Sequence, residues 1–132
     1  CCVTVTHFDG LVYARSTFWS SMNYRSVMVF GVARPIIDVD EKRHSVQVLV
    51  DHLMPGRRAD LRKSTSKELN ATNLLALPIE TYSVKCRTGP PEDSKSDLDT
   101  PVWAGVVPLQ LIPGEAVDAP NILPGITQPD YL

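Results

Sequence analysis

Tyr24, Arg25 and Ser26 stand in succession at the head of an apolar run, Val27, Met28, Val29 and Phe30, that ends in Gly31. Together they offer a phenol, a two-pronged anion-binding fork and a small hydroxyl, a set suited to a planar ligand that is anionic or rich in carbonyls. The plainer alternative is that Arg25 pairs with a carboxylate and its neighbours are ordinary strand-end polar residues. A second pair of cations, Lys85 and Arg87, closes another β-like run just before Thr88 and Gly89, where they either reach a phosphate or point to solvent. The remaining basic cluster, Arg57, Arg58, Arg62 and Lys63, is interrupted by Asp60 and reads as a solvated loop between helices.

These groups need a frame. The run after Ser26 is apolar on both faces, with Met28 and Phe30 on one and Val27 and Val29 on the other, the pattern of a strand buried on two sides. Upstream, Cys1 to Phe8 alternates as a strand, and Asp9 with Gly10 predicts a two-residue hairpin turn into a second strand, Leu11 to Ser16. Tyr24 to Arg34, Ile79 to Arg87 and Val102 to Ile112 complete five expected strands. Trp103 falls near the start of the last, and Pro108 makes that strand an edge or breaks it. Six of the nine aromatic residues lie in the first thirty positions, able to wall a flat ligand or pack a core or subunit interface.

Two helices are expected between the strands. Asp38 with Glu41 resembles a capping box, and Val46, Leu49, Val50 and Leu53 make one apolar stripe against the sheet until Pro55 and Gly56 stop the helix. Thr65 with Glu68 opens a second, short helix running to about Leu75. His44 and His52 sit eight apart among charges, a spacing that argues for solvated side chains over metal ligands. From Pro90 the composition changes: eight of the eleven prolines follow, Pro90 to Asp99 reads as an acidic loop, and residues 113–132 read as an extended tail after a domain of residues 1–112.

With 132 residues the chain is the size of one domain, and its net charge of −2 leaves no broad basic face for nucleic acid. It contains no apolar run of transmembrane length, so a soluble, cytoplasmic protein is expected. Its three cysteines, two adjacent and one alone, make neither a disulfide framework nor a metal spacing. The motifs of serine hydrolases, nucleotide kinases, dinucleotide-binding enzymes and zinc proteases are absent.

One resemblance runs through nearly the whole chain. Ala14 to Ser16, Phe18, the run Ser21 to Gly31, Leu53 to Leu61, Ala76 to Glu80, Lys85 to Pro91 and Pro101 to Pro108 resemble the pyridoxamine 5′-phosphate oxidase-related, flavin-nucleotide-binding family. That resemblance implies a mainly β fold with short helices, an FMN-binding split β-barrel, usually a homodimer with the cofactor at the subunit interface. It implies FMN-binding roles for Tyr24, Arg25 and Ser26, with Lys85, Arg87 and Trp103 as further candidates, and a flavin-dependent oxidoreductase whose substrate is not readable. Haem or deazaflavin can replace the flavin in such proteins. The chain resembles the C-terminal two-thirds of that pattern, and the expectation is that the first strands of the barrel lie upstream of Cys1. It departs from the pattern at Trp19 and Ser20, where close members often carry two histidines. The competing reading is a cofactor-free dimeric β-module that has kept the barrel and lost the flavin site.

Overall fold

The computed structural model describes residues 1–132. It divides into two compact units, one formed by residues 1–32 with 78–112 and the other by residues 33–77 with 113–132. The 113–132 tail, expected to follow a domain of residues 1–112, thus groups with the helical segment.

The first unit is an antiparallel sheet of four strands in the order β5-β2-β1-β6. β1 spans Cys2–Tyr13, β2 Ser21–Phe30, β5 Thr81–Arg87 and β6 Gly105–Pro108. The expected hairpin at Asp9 and Gly10 does not form, and β1 runs straight through both residues. Phe8 faces Tyr24 and Gly10 faces Asn23, leaving Asp9 as the one extra residue of a β-bulge. Gly10 is required for a different reason: a Cβ there would sit 3.0 Å from Val106 Cγ1 and 3.2 Å from the Val107 carbonyl on β6. The chain reverses instead at Ala14–Ser20, where Ser20 N–H and Oγ both donate to the Ser16 carbonyl, at 3.2 and 3.0 Å.

β2 ends at Phe30, short of the expected Arg34, although the next residue, Gly31, stays in register with β1, its N–H donating to the Cys1 carbonyl at 3.1 Å. The two-sided burial expected for this strand is not observed, since Met28 and Phe30 are exposed on one face while Val27 and Val29 are half-buried on the other. β6 is also shorter than the expected Val102 to Ile112 and pairs with β1 only from Gly10 to Tyr13. The buried side chains of this unit are Val12, at 2 % exposure, and Asn23.

The second unit is helical. α1 spans Val39–Leu53, capped as expected by the Asp38 side chain, which accepts the Glu41 N–H at 2.8 Å. No residue of α1 is buried, and of its expected apolar stripe Val46 and Val50 are half-buried while Leu49 and Leu53 are exposed. α2 spans Ser66–Ala71 with the full Thr65–Glu68 capping box. It ends before the expected Leu75 because Thr72 leaves the helix: its backbone is extended and its hydroxyl donates to the Glu68 carbonyl at 2.9 Å. Leu75–Ala76 (β4) then pairs with Arg34–Pro35 (β3) as a two-stranded ribbon. Lys42 ties the two helices together by donating to the carbonyls of Leu69 and Thr72, at 3.2 and 2.9 Å. The buried residues here are Leu69 and Ile36. No helix is long and apolar enough to cross a membrane.

Candidate functional site

Cross-strand partners share a face of the sheet, so the register sorts the candidates. On one face Ser26 lies between Thr6 and Lys85, with the Ser26 and Thr6 hydroxyls hydrogen-bonded at 2.8 Å, and Tyr24 lies beside Phe8. On the opposite face Arg25 lies between His7 and Cys86, followed by Val5, Val27 and Val84. Tyr24 and Ser26 therefore share a surface with Lys85, and Arg25 does not. The bulge turns Asp9 to Arg25's side, where the guanidinium makes a bidentate pair with its carboxylate, Nε and Nη2 each 2.9 Å from an oxygen. That hydrogen bond holds Asp9 below the usual carboxylate range and raises Arg25, against a smaller opposing effect of desolvation. Of the two readings open for Arg25, the carboxylate pair is the one the structure contains.

Arg87 stands opposite Tyr24 in the register, yet its guanidinium ends on Asn23, with Nη1 donating to Oδ1 at 2.6 Å. Asn23 in turn donates to the Gly89 carbonyl at 3.1 Å, and Gly89 takes φ = +105°, a conformation that favours glycine. The segment after β5 is thereby fastened to the start of β2. A few residues on, the Asp93 carboxylate accepts the Arg15 backbone N–H at 2.7 Å and Arg15 Nη1 at 2.6 Å, with an Asp93 side chain only 2 % exposed. Arg15 Nε and the neighbouring Ser16 Oγ are buried with no partner. Trp103 packs against Tyr13 with ring centres 5.7 Å apart, directly over Gly105, where a Cβ would lie 2.7 Å from the indole.

One end of the sheet thus gathers Tyr13, Arg15, Ser16, Asn23, Tyr24, Arg87, Asp93 and Trp103. Sequence reading missed Asp9, Thr6, Asn23 and Asp93. The register would have found Thr6 from Ser26, whereas nothing local marks Asp93 as the partner of a residue 78 positions away.

The clefts lie elsewhere. One of about 300 Å³ is lined by Phe30, Gly31, Val32, Pro78, Glu80 and Thr81, at the far end of β2 and β5. Another, of about 380 Å³, lies in the helical unit beside Val46, Leu61, Arg62 and Leu69. The three arginines of the basic cluster nearby are paired: Arg58 with Asp51 at 3.0 Å, Arg62 with Glu68 at 2.6 Å and Arg57 with Asp60 at 3.7 Å. No three His, Cys, Asp or Glu side chains lie close enough to share a metal ion.

With this geometry in place, the chain can be set beside known proteins. It belongs to the pyridoxamine 5′-phosphate oxidase family, whose sequence model matches residues 1–86. The flavocytochrome Anf3 from Azotobacter vinelandii is 40 % identical and superposes with a TM-score of 0.91 over 98 % of this chain and 61 % of that one. The FAD and heme binding protein from Mycobacterium smegmatis is 44 % identical, again with a TM-score of 0.91, over 98 % of this chain and 64 % of that one. The chain spans about three-fifths of the length of these two structures. The fold is mainly β with short helices and of the family's split-barrel type. No curated protein matches the chain.

Proposed function

We propose that the chain binds a flavin nucleotide, FMN in the first instance, as part of a flavin-dependent oxidoreductase. The observation that carries this reading is family membership joined to two structural relatives, at 40 % and 44 % identity, whose names describe a flavocytochrome and an FAD and heme binding protein. The residues present fit the group. A flavin has a flat apolar ring with one polar, carbonyl-bearing edge and an anionic tail. The face bearing Phe8 and Tyr24, Thr6 and Ser26, and Lys85 offers aromatic surface, hydroxyls and one cation with no hydrogen-bond partner. The strand-end loop adds two buried, unpartnered donors at Arg15 and Ser16.

The flavin supplies the redox chemistry when bound, and the chain supplies orientation, hydrogen bonds and charge. Ser26 would hold the ring's polar edge, Lys85 would place positive charge beside it, and Tyr24 would set its tilt. Arg25 faces the other side of the sheet, Arg87 would act by fixing the segment after β5, and Trp103 by packing on Tyr13. The flavin would lie at the interface of a homodimer, since both faces of the sheet keep apolar side chains in solvent: Val5 is 51 % exposed on one and Phe8 57 % on the other.

The test is absorbance between 350 and 500 nm in chain purified without added cofactor, followed by FMN, FAD and riboflavin titrations. A flavin spectrum, or saturable binding at micromolar concentration, is expected. A folded chain that binds none of the three would leave the cofactor-free β-module as the reading.

A further inference from the structure

The Arg15 and Asp93 pair is only half of a hydrogen-bonding arrangement. This turn carries four donors on two adjacent residues: the Arg15 backbone N–H, its Nη1, its Nε and the Ser16 hydroxyl. The Asp93 carboxylate takes the first two, one on each oxygen, and the other two are closed from solvent with nothing to bond. A buried donor without a partner is a standing cost, and the Asp93 oxygens, each placed for one of the first two donors, bond neither of the others. A phosphate ester has three terminal oxygens and more negative charge, so it can serve the same two donors and the two left over. Asp93 in this view stands where an oxyanion ligand would.

Asp93 reaches Arg15 from the segment that follows β5. It leaves β5 at Gly89, whose φ of +105° suits glycine, continues through the stiff pair Pro90 and Pro91, and carries Asp93 beyond them. Its inner end is held by Asn23 on the Gly89 carbonyl at 3.1 Å and more loosely by Arg87 Nη2 on the Pro90 carbonyl at 3.4 Å. Arg15 Nε and Ser16 Oγ are closed from solvent, and this arm is the segment bonded to Arg15.

We infer that Arg15 and Ser16 form a phosphate-binding turn that Asp93 occupies as an intramolecular latch, and that a phosphate ester displaces the latch and takes up all four donors. The source of that phosphate rests on the flavin-nucleotide reading above, while the turn and its latch do not.

The experiment titrates the full chain with inorganic phosphate by calorimetry at constant ionic strength. Asp93→Asn should bind phosphate at least about tenfold more tightly than the unaltered chain, the scale of one charge-assisted hydrogen bond. Asp97→Asn, which removes the same charge from the same loop, should not. Adding Ser16→Ala to Asp93→Asn should take most of the gain away. In the unaltered chain, phosphate should speed proteolytic cleavage between residues 88 and 99. An Asp93→Asn chain that melts like its parent and gains nothing would overturn the latch. If that variant melts early, phosphate that leaves cleavage of the unaltered chain unchanged or slows it does the same.

Flavins identify the source. FMN binding should gain from Asp93→Asn and riboflavin binding should not. A phosphate gain with neither flavin bound removes the flavin reading and keeps the latch. Flavin binding with no Asp93→Asn effect on FMN or phosphate keeps that reading and removes the latch.

Discussion

Individual side chains divide by the face of the sheet they occupy, and that division is testable. Lys85 stands on the face of Ser26 and Tyr24 with no carboxylate against it, so Lys85→Ala should weaken flavin binding by about 1.5–3 kcal/mol, the scale of a hydrogen bond to a charged group. On the flavin-binding reading proposed above, FMN and riboflavin should lose alike, because Lys85 would contact the ring. Arg25→Ala, on the opposite face and paired with Asp9, should leave both affinities unchanged. Fluorescence titration of the two variants checks this, and the reverse order of effects would move the ring to the other face. In the helical unit, Glu68 is held down to about 2 by the Arg62 hydrogen bonds and by the Thr65 backbone and hydroxyl. Its folded pKa is below its unfolded one, so its contribution to stability is complete above about pH 4.5 and is lost as pH falls toward 2. Melting of Glu68→Gln against the unaltered chain should show a gap at pH 7 that closes near pH 2. A gap that persists at pH 2 would place the effect in packing rather than charge.

At the scale of elements, what was legible followed local chemistry. Asp38 with Glu41 and Thr65 with Glu68 marked both helix starts because a cap is made within four residues of sequence. Asp9 and Gly10 misled for an equally physical reason, since the same dipeptide serves a tight turn and a bulge, and only the position of β6 decides between them. The candidate site was legible in its residue types and not in its sides: Tyr24, Arg25 and Ser26 are consecutive, and a strand sends consecutive residues to opposite faces. Asp93 lay beyond reach because its partner is fixed by long-range folding. The helical unit offers a sharper test of packing. Leu69 is 2 % exposed on a six-residue helix that cannot persist alone, and Lys42 holds the end of that helix through two carbonyls. Leu69→Ala should cost about 2–5 kcal/mol and Lys42→Met about 1–2 kcal/mol, read as lost helical circular dichroism on urea titration. If Leu69→Ala melts with its parent, this unit is held by something other than that contact.

For the whole molecule the deciding quantity is the apolar surface left in solvent. Only Val12, Ile36 and Leu69 are buried apolar side chains, whereas a stable domain of this size draws most of its stability from burying many more. The sheet is open in two further ways. β6 covers β1 only from Gly10 to Tyr13, leaving the outer edge from Cys2 to Phe8 unpaired, and β5 is the opposite edge strand. An edge of seven residues flanked by half-exposed valines is a template for another strand, and no proline or lysine within β1 blocks it. Association through that edge would pair those backbone groups and bring a partner beside Val3 and Val5, which a monomer of this chain cannot do. The chain should therefore be dimeric or larger at micromolar concentration, with a melting temperature that rises with concentration. Val5→Lys, which puts a charge in the middle of the valine face, should shift it toward monomer and lower its melting temperature. Size-exclusion chromatography with light scattering across a hundredfold range of concentration makes the measurement. A monomer throughout that range, melting cooperatively at one temperature, would mean that the open sheet is stable in water without a partner.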